Sequence, residues 1–144
     1  MATPLHISKY ILSLNDVEFG DLISNLKLQK LVYYAQGFHL AMNNKELFEE
    51  DIIAWEHGPA VESLYHYYKG YGSNAIPVPE EFDDNVLLEN EKTLLKEVYE
   101  VFGQFSAWKL RNMTHSERPW IETPKNRPID KELMKEYFKE FIIE

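Results

Sequence analysis

The stretch Leu26-Lys27-Leu28-Gln29-Lys30-Leu31-Val32-Tyr33-Tyr34-Ala35-Gln36-Gly37 decides the fold. Its apolar residues Leu28, Leu31, Val32 and Ala35, followed by Phe38 and Met42, recur at intervals of three and four. That period belongs to an amphipathic helix, with these side chains on the core face. Ser24 or Asn25 can cap its start and Asn43-Asn44 ends it, so the helix runs to about Met42. Lys27, Lys30 and Gln36 fall off the core face. Neighbours on a helix point about 100° apart, so of Tyr33 and Tyr34 one ring packs inward and the other sits at a boundary with its hydroxyl paired. Gly37 costs about 1 kcal/mol against Ala inside a helix and marks the close approach of another element.

Working outward, Ile7, Tyr10, Ile11 and Leu14 predict a short helix over 5–15, with Asn15-Asp16 and Gly20 punctuating its end. On the other side, Leu47-Phe48, then Glu49-Glu50-Asp51, then Ile52-Ile53-Ala54-Trp55 read as a small hairpin with an acidic turn. Two strands alone are marginal, so the hairpin must pack on helices. Pro59 suits the first turn of a helix, with Val61, Leu64, Tyr65 and Tyr68 on one face and Gly70 at its end. Asn90 begins a further helix, with Leu94, Leu95, Val98, Val101 and Phe102 inward and Gly103 as its stop. Ser106 caps a short helix carrying Trp108 and Leu110, and the proline-bearing 115–129 stretch is mostly irregular. Asp130 caps a last helix with the stripe Leu133, Met134, Tyr137, Phe138, Phe141 and Ile142. The expected fold class is mainly α: one compact helical domain over 1–144 with a small two-stranded β-hairpin insertion.

Composition narrows the function. Fifteen Lys and Arg against 24 Asp and Glu leave a net charge of −9, which opposes general phosphate-backbone binding; no direct nucleic-acid partner is expected. The chain has no cysteine, which excludes disulfides and thiolate metal sites. No apolar run approaches the roughly 18 residues of a membrane span, and the N-terminus lacks the character of a signal peptide; a cytoplasmic location is expected. Glu80, Glu81, Asp83, Asp84, Glu89 and Glu91 lie between 80 and 91 with no Lys or Arg among them. The stretch is either a solvated loop or a steering surface for a basic partner. In the second case, rings among Tyr65, Tyr67, Tyr68 and Tyr71 would supply the apolar contacts.

Two further segments carry chemistry-bearing residues, Ala54-Trp55-Glu56-His57-Gly58-Pro59 and Thr114-His115-Ser116-Glu117-Arg118-Pro119-Trp120. Thr114 and Ser116 can tie down a helix end, Pro119 sets a turn, and Trp120 is a large anchor whose indole N–H needs a partner. The enzymatic alternative is a small hydrolase or transferase using His115 and Glu117 as a base and its orienting acid, with His57 beside them. With no nucleophile motif and no metal-ligand spacing, the structural or binding reading is preferred and no catalytic residue is assigned. Glu62 and His66 share a helix face as an ion pair, His39 reads as a hydrogen-bonded core histidine, and no Gly-rich phosphate loop is present. No cofactor is expected.

In order along the chain, these segments resemble the Panacea domain, the SocA-like family of bacterial and phage antitoxins. The opening motif is carried by Lys27, Leu28, Gln29, Lys30, Leu31, Tyr33, Tyr34, Gln36 and Gly37. The strand-to-helix junction is carried by Trp55, Gly58 and Pro59, and the closing motif by Thr114, His115, Glu117, Pro119 and Trp120. The similarity runs from about Ile7 to the last helix. It implies a prophage- or mobile-element-borne antitoxin of a toxin–antitoxin system, not an enzyme, whose partner is a protein toxin encoded nearby. Neutralisation would be by direct block or by acting as a proteolytic adaptor to a AAA+ protease. The expectation that the toxin is basic comes from the acidic surface, and places Glu80, Glu81, Asp83, Asp84, Tyr65 and Tyr68 at the partner interface.

Overall fold

Ser24 starts the helix against which five other helices and the hairpin pack. In the computed structural model, which describes residues 1–15 and 22–142, the Ser24 hydroxyl accepts from the Lys27 backbone N–H and opens α2, Asn25–Asn43. Asn44, in the left-handed conformation, ends it. Helix α1 (Pro4–Ser13) and the later helices α3 (Glu62–Tyr68), α4 (Glu89–Phe102), α5 (Ala107–Thr114) and α7 (Lys131–Lys139) all contact α2. The caps follow the sequence: Ser106 accepts from Lys109, Asp130 from Glu132, and Gly103 closes α4. The Asp16 and Gly20 signals lie outside the described residues. The chain is mainly helical with a small antiparallel hairpin.

The wheel expected of α2 needs correction. Because neighbours surround it, Lys27, Lys30 and Gln36 are buried rather than off the core, and Tyr33 and Tyr34 are both buried. Met42, placed on the core stripe, is exposed, as is Val101 of α4. Tyr34 stacks on Phe102 with ring centres 4.0 Å apart, and the α7 ring of Phe138 packs edge-on against Tyr33 at 5.5 Å. Gly37 faces that same Phe138 ring, and a Cβ there would overlap it, which is the close approach its presence in a helix implied.

The hairpin is real but lies elsewhere. Strand β1 (Ile53–Trp55) pairs with β2 (Gly58–Ala60), not with Leu47-Phe48. The turn is Glu56-His57, and Gly58 has φ +107°, a backbone state glycine adopts without strain. Pro59 is therefore a strand residue, and the helix begins three residues later at Glu62. Trp55 opposite Gly58 closes the turn, so the next pair, Ala54 and Pro59, exchanges no ladder bond and the missing proline N–H costs nothing. Ala54 turns its amide and carbonyl the other way, to Arg127 O and from Asn126 N. Leu47 and Phe48 are held instead by the side-chain amide of Gln36, which accepts from Leu47 N at 2.7 Å and donates to Phe48 O at 2.9 Å. Within the 115–129 stretch, Arg118–Ile121 forms a short helix, α6.

Candidate functional site

The three motifs converge on one buried polar frame. From α2, Gln29 accepts from Val61 N at 2.9 Å and donates to Asn25, whose own amide donates to Tyr65 O. This pins α3 to α2. Lys27 donates to Gly103 O at 2.6 Å, tying α2 to the end of α4. Lys30 crosses under the hairpin and donates to Pro59 O at 3.0 Å. Gly58 lets it pass: a Cβ there would stand 2.6 Å from Lys30 Cε and 2.8 Å from Thr114 Oγ1. The opening motif thus holds the junction motif through side chains that reach backbone.

The closing motif docks on the same helix. The hydroxyls of Tyr33 and Tyr34 donate to the two oxygens of Glu117, at 2.9 and 2.8 Å. Burial pushes the Glu117 carboxyl up to about 7, against the two tyrosine hydrogen bonds that pull it down. Burial, then the Glu117 charge, holds both tyrosines well above their usual range, so they remain donors. Trp120 donates its indole N–H to Trp55 O at 2.7 Å and stacks on His115 at 4.1 Å. Trp120 is half-buried, less than its reading as a large anchor implies, and so is Trp55. Thr114 Oγ1 donates to Arg111 O at 2.8 Å, the helix-end tie that its residue type implied.

The residues of the enzymatic alternative are not assembled. Glu117 faces the tyrosines, and among the described residues no hydrogen bond joins it to His115. Among the described residues His115 Nε2 is buried without a hydrogen-bond partner; burial, then the Arg111 charge, pushes the His115 pKa down. His57 is exposed and accepts from Arg111 Nε at 3.3 Å. His39 is buried with Nδ1 2.7 Å from Lys45 O, and His66 stands 3.8 Å from Glu62 on the surface, as read from sequence. Among the described residues, no three His, Asp or Glu side chains are grouped to hold a metal ion.

A groove of about 630 Å³ opens beside this frame, between the Glu56-His57 turn, α3 and α5, with Trp55, Tyr65 and Trp108 on its walls and Lys30 at its floor. The sequence reading places Trp108 on its helix but gives neither it nor Arg111 a role at a site. Their spacing of three in a helix was the available signal, and in the fold the guanidinium lies 4.5 Å over the Trp108 ring. The residues assigned to a partner interface divide. Glu80, Glu81 and Asp83 are exposed, Asp84 pairs with Lys92 at 3.4 Å, and Glu91 is buried with its carboxylate on Leu88 N. Tyr65 is exposed, but Tyr68 is buried with its hydroxyl 3.0 Å from Ser8, so it offers no docking ring.

A family model described as "Antitoxin SocA-like, Panacea domain" matches residues 28–121. That span is narrower than the resemblance read from Ile7 to the last helix, but it takes in the junction and closing motifs and all of the opening motif except Lys27. Neither a curated protein nor a solved structure matches the chain. Among the described residues, no helix is long and apolar enough to cross a membrane.

Proposed function

We propose that this chain, which belongs to the SocA-like Panacea antitoxin family, binds a protein toxin encoded beside it and neutralises it without catalysis. The observation that carries this reading is where the family motifs lie. Most of their polar side chains hold the fold: Lys27, Gln29, Lys30 and Gln36 each reach a backbone group, Tyr33 and Tyr34 bond Glu117, and Trp120 bonds Trp55. An enzyme family keeps its motif side chains facing a reacting centre. A binding family needs a rigid frame under a surface that changes with the partner. The exposed Glu80, Glu81 and Asp83 favour a basic partner by charge complementarity, and Tyr65, Tyr67 and Tyr71 are exposed rings available for apolar contact.

The test is co-expression with the adjacent reading frame. Growth arrest by the neighbour alone, and rescue by this chain, is the expected result. Repeating the rescue in cells lacking each AAA+ protease separates the two routes: rescue that persists marks direct block, and rescue that fails marks an adaptor. A neighbour whose toxicity this chain never relieves overturns the assignment.

A further inference from the structure

The groove holds basic groups that no acid compensates, in a chain of net charge −9. Lys30 at its floor is only 1% exposed, and its hydrogen-bond partner is a single carbonyl, Pro59 O, although an ammonium carries three donors. His57 lines the same groove, and Arg111 stands behind that lining, bonded to His57 Nδ1 and to Asn112 Oδ1 and laid over Trp108. Among the described residues, no carboxylate lies within ion-pair distance of Lys30, His57, Arg111 or His115; the ion pairs of the chain are all elsewhere. These basic groups feel one another: the Arg111 charge adds to burial in pushing down both Lys30 and His115. A buried cation without a counter-ion is unfavourable, and an arriving anion would relieve it. The acid lining the groove, Glu56, is exposed at the rim.

The walls add a second requirement. Tyr65 meets Trp55 edge-on at 5.2 Å, and Trp108, 59% exposed, has one face under Arg111. Flat aromatic surface beside converging cations suits a ligand that is both anionic and planar, and about 630 Å³ is the volume of a small-molecule site. We propose that this groove binds a single nucleotide, its phosphate met by Lys30 and His57 with the Arg111 charge behind them, and its base lying against Trp108 and Tyr65. The net charge of −9 does not oppose this, since one nucleotide needs a local cluster and not a basic face.

The experiment titrates the full-length chain with ADP, adenosine and inorganic phosphate, reading tryptophan fluorescence and calorimetric heat. ADP is expected to give saturable quenching that weakens with salt, with adenosine and phosphate each at least about tenfold weaker, since each lacks one of the two contact sets. Arg111→Gln and Lys30→Met are expected to weaken ADP by about tenfold each with unchanged circular dichroism, and Glu56→Gln to tighten it. At pH 8, ADP binding to the wild type should take up a proton, seen as heat that depends on buffer ionisation, and binding to Lys30→Met should not. Glu56→Gln lies on the exposed rim, so it tests the site even if a floor variant fails to fold. Absence of saturable binding by both wild type and Glu56→Gln overturns the proposal. So does phosphate binding as tightly as ADP, or a short poly-glutamate peptide binding more tightly, which would make the groove a protein-docking site.

Discussion

Replacing Glu117 with Gln should make the protein more stable above neutral pH, although it alters the acid that receives both tyrosine hydroxyls. In the fold the carboxyl is pushed from 4.5 up to about 7, chiefly by burial. A folded value above the unfolded one means that the native state binds the proton more tightly. This contribution is fully present below pH 4.5 and is lost as pH rises through about 7. The interval is worth about 3 kcal/mol. Glutamine keeps the shape of the protonated acid and never ionises, and its carbonyl still accepts from one tyrosine hydroxyl. At pH 5, Glu117→Gln should therefore match wild type within about 1 kcal/mol. At pH 8 it should be more stable by about 3 kcal/mol, a rise in Tm of roughly 6–12 °C for a chain of this size. Lys30 gives the opposite limb: burial, with Arg111, lowers it from 10.5 to about 7, so its contribution is present above pH 10.5 and lost as pH falls through about 7. Together the two groups place a local minimum of stability near neutrality. Urea titrations of wild type and variant from pH 5 to 9 measure the difference directly. A stability difference that does not change with pH, or a variant less stable than wild type at pH 8, would refute the argument.

Other substitutions test the packing and the surface. Gly37→Ala places a methyl group in the Phe138 ring and should cost about 1–3 kcal/mol, measured by thermal unfolding; an unchanged Tm would show that α7 shifts freely on α2. Trp120→Ala removes a half-buried ring, its stack on His115 and its bond to Trp55 O. A loss of about 2–3 kcal/mol is expected, less than the 3–5 typical of a fully buried aromatic, and chemical denaturation checks it. Neutralising Glu80, Glu81, Asp83 and Asp84 together should slow association with the toxin and flatten its salt dependence while leaving dissociation nearly unchanged; stopped-flow mixing at low salt decides it, and a wild-type association rate would make the segment a solvated loop only.

What was legible in the sequence was local. Ser24, Ser106 and Asp130 cap helices because a side-chain oxygen there meets an N–H three or fewer residues away, and no tertiary contact is needed to read that. The core stripe Leu28, Leu31, Val32 and Ala35 also held, since a 3.6-residue period survives burial. The polar residues of α2 were misread because a helix wheel assumes a wet side. Packed against helices and hairpin together, α2 has almost none, and Lys30, Gln29 and Gln36 serve backbone groups up to 32 residues away in sequence. The hairpin was displaced for a related reason: Leu47-Phe48 has strand composition, but Gln36 supplies its hydrogen bonds, and Gly58-Pro59 fits a helix start as well as a turn. The groove could not be foreseen, because Lys30, His57 and Trp108 come from three separate elements.

Neutralisation by binding can be reconstituted from purified components. The adjacent gene's product would be purified and assayed for its toxic activity with increasing amounts of this chain, and the mixture passed over a sizing column with light scattering. A stoichiometric complex is expected, with toxin activity falling to zero at the same molar ratio if the route is direct block. If the route is the adaptor one, the complex still forms and activity falls when the protease is added. Toxin and chain eluting apart, with toxin activity unchanged by this chain with or without the protease, would contradict it.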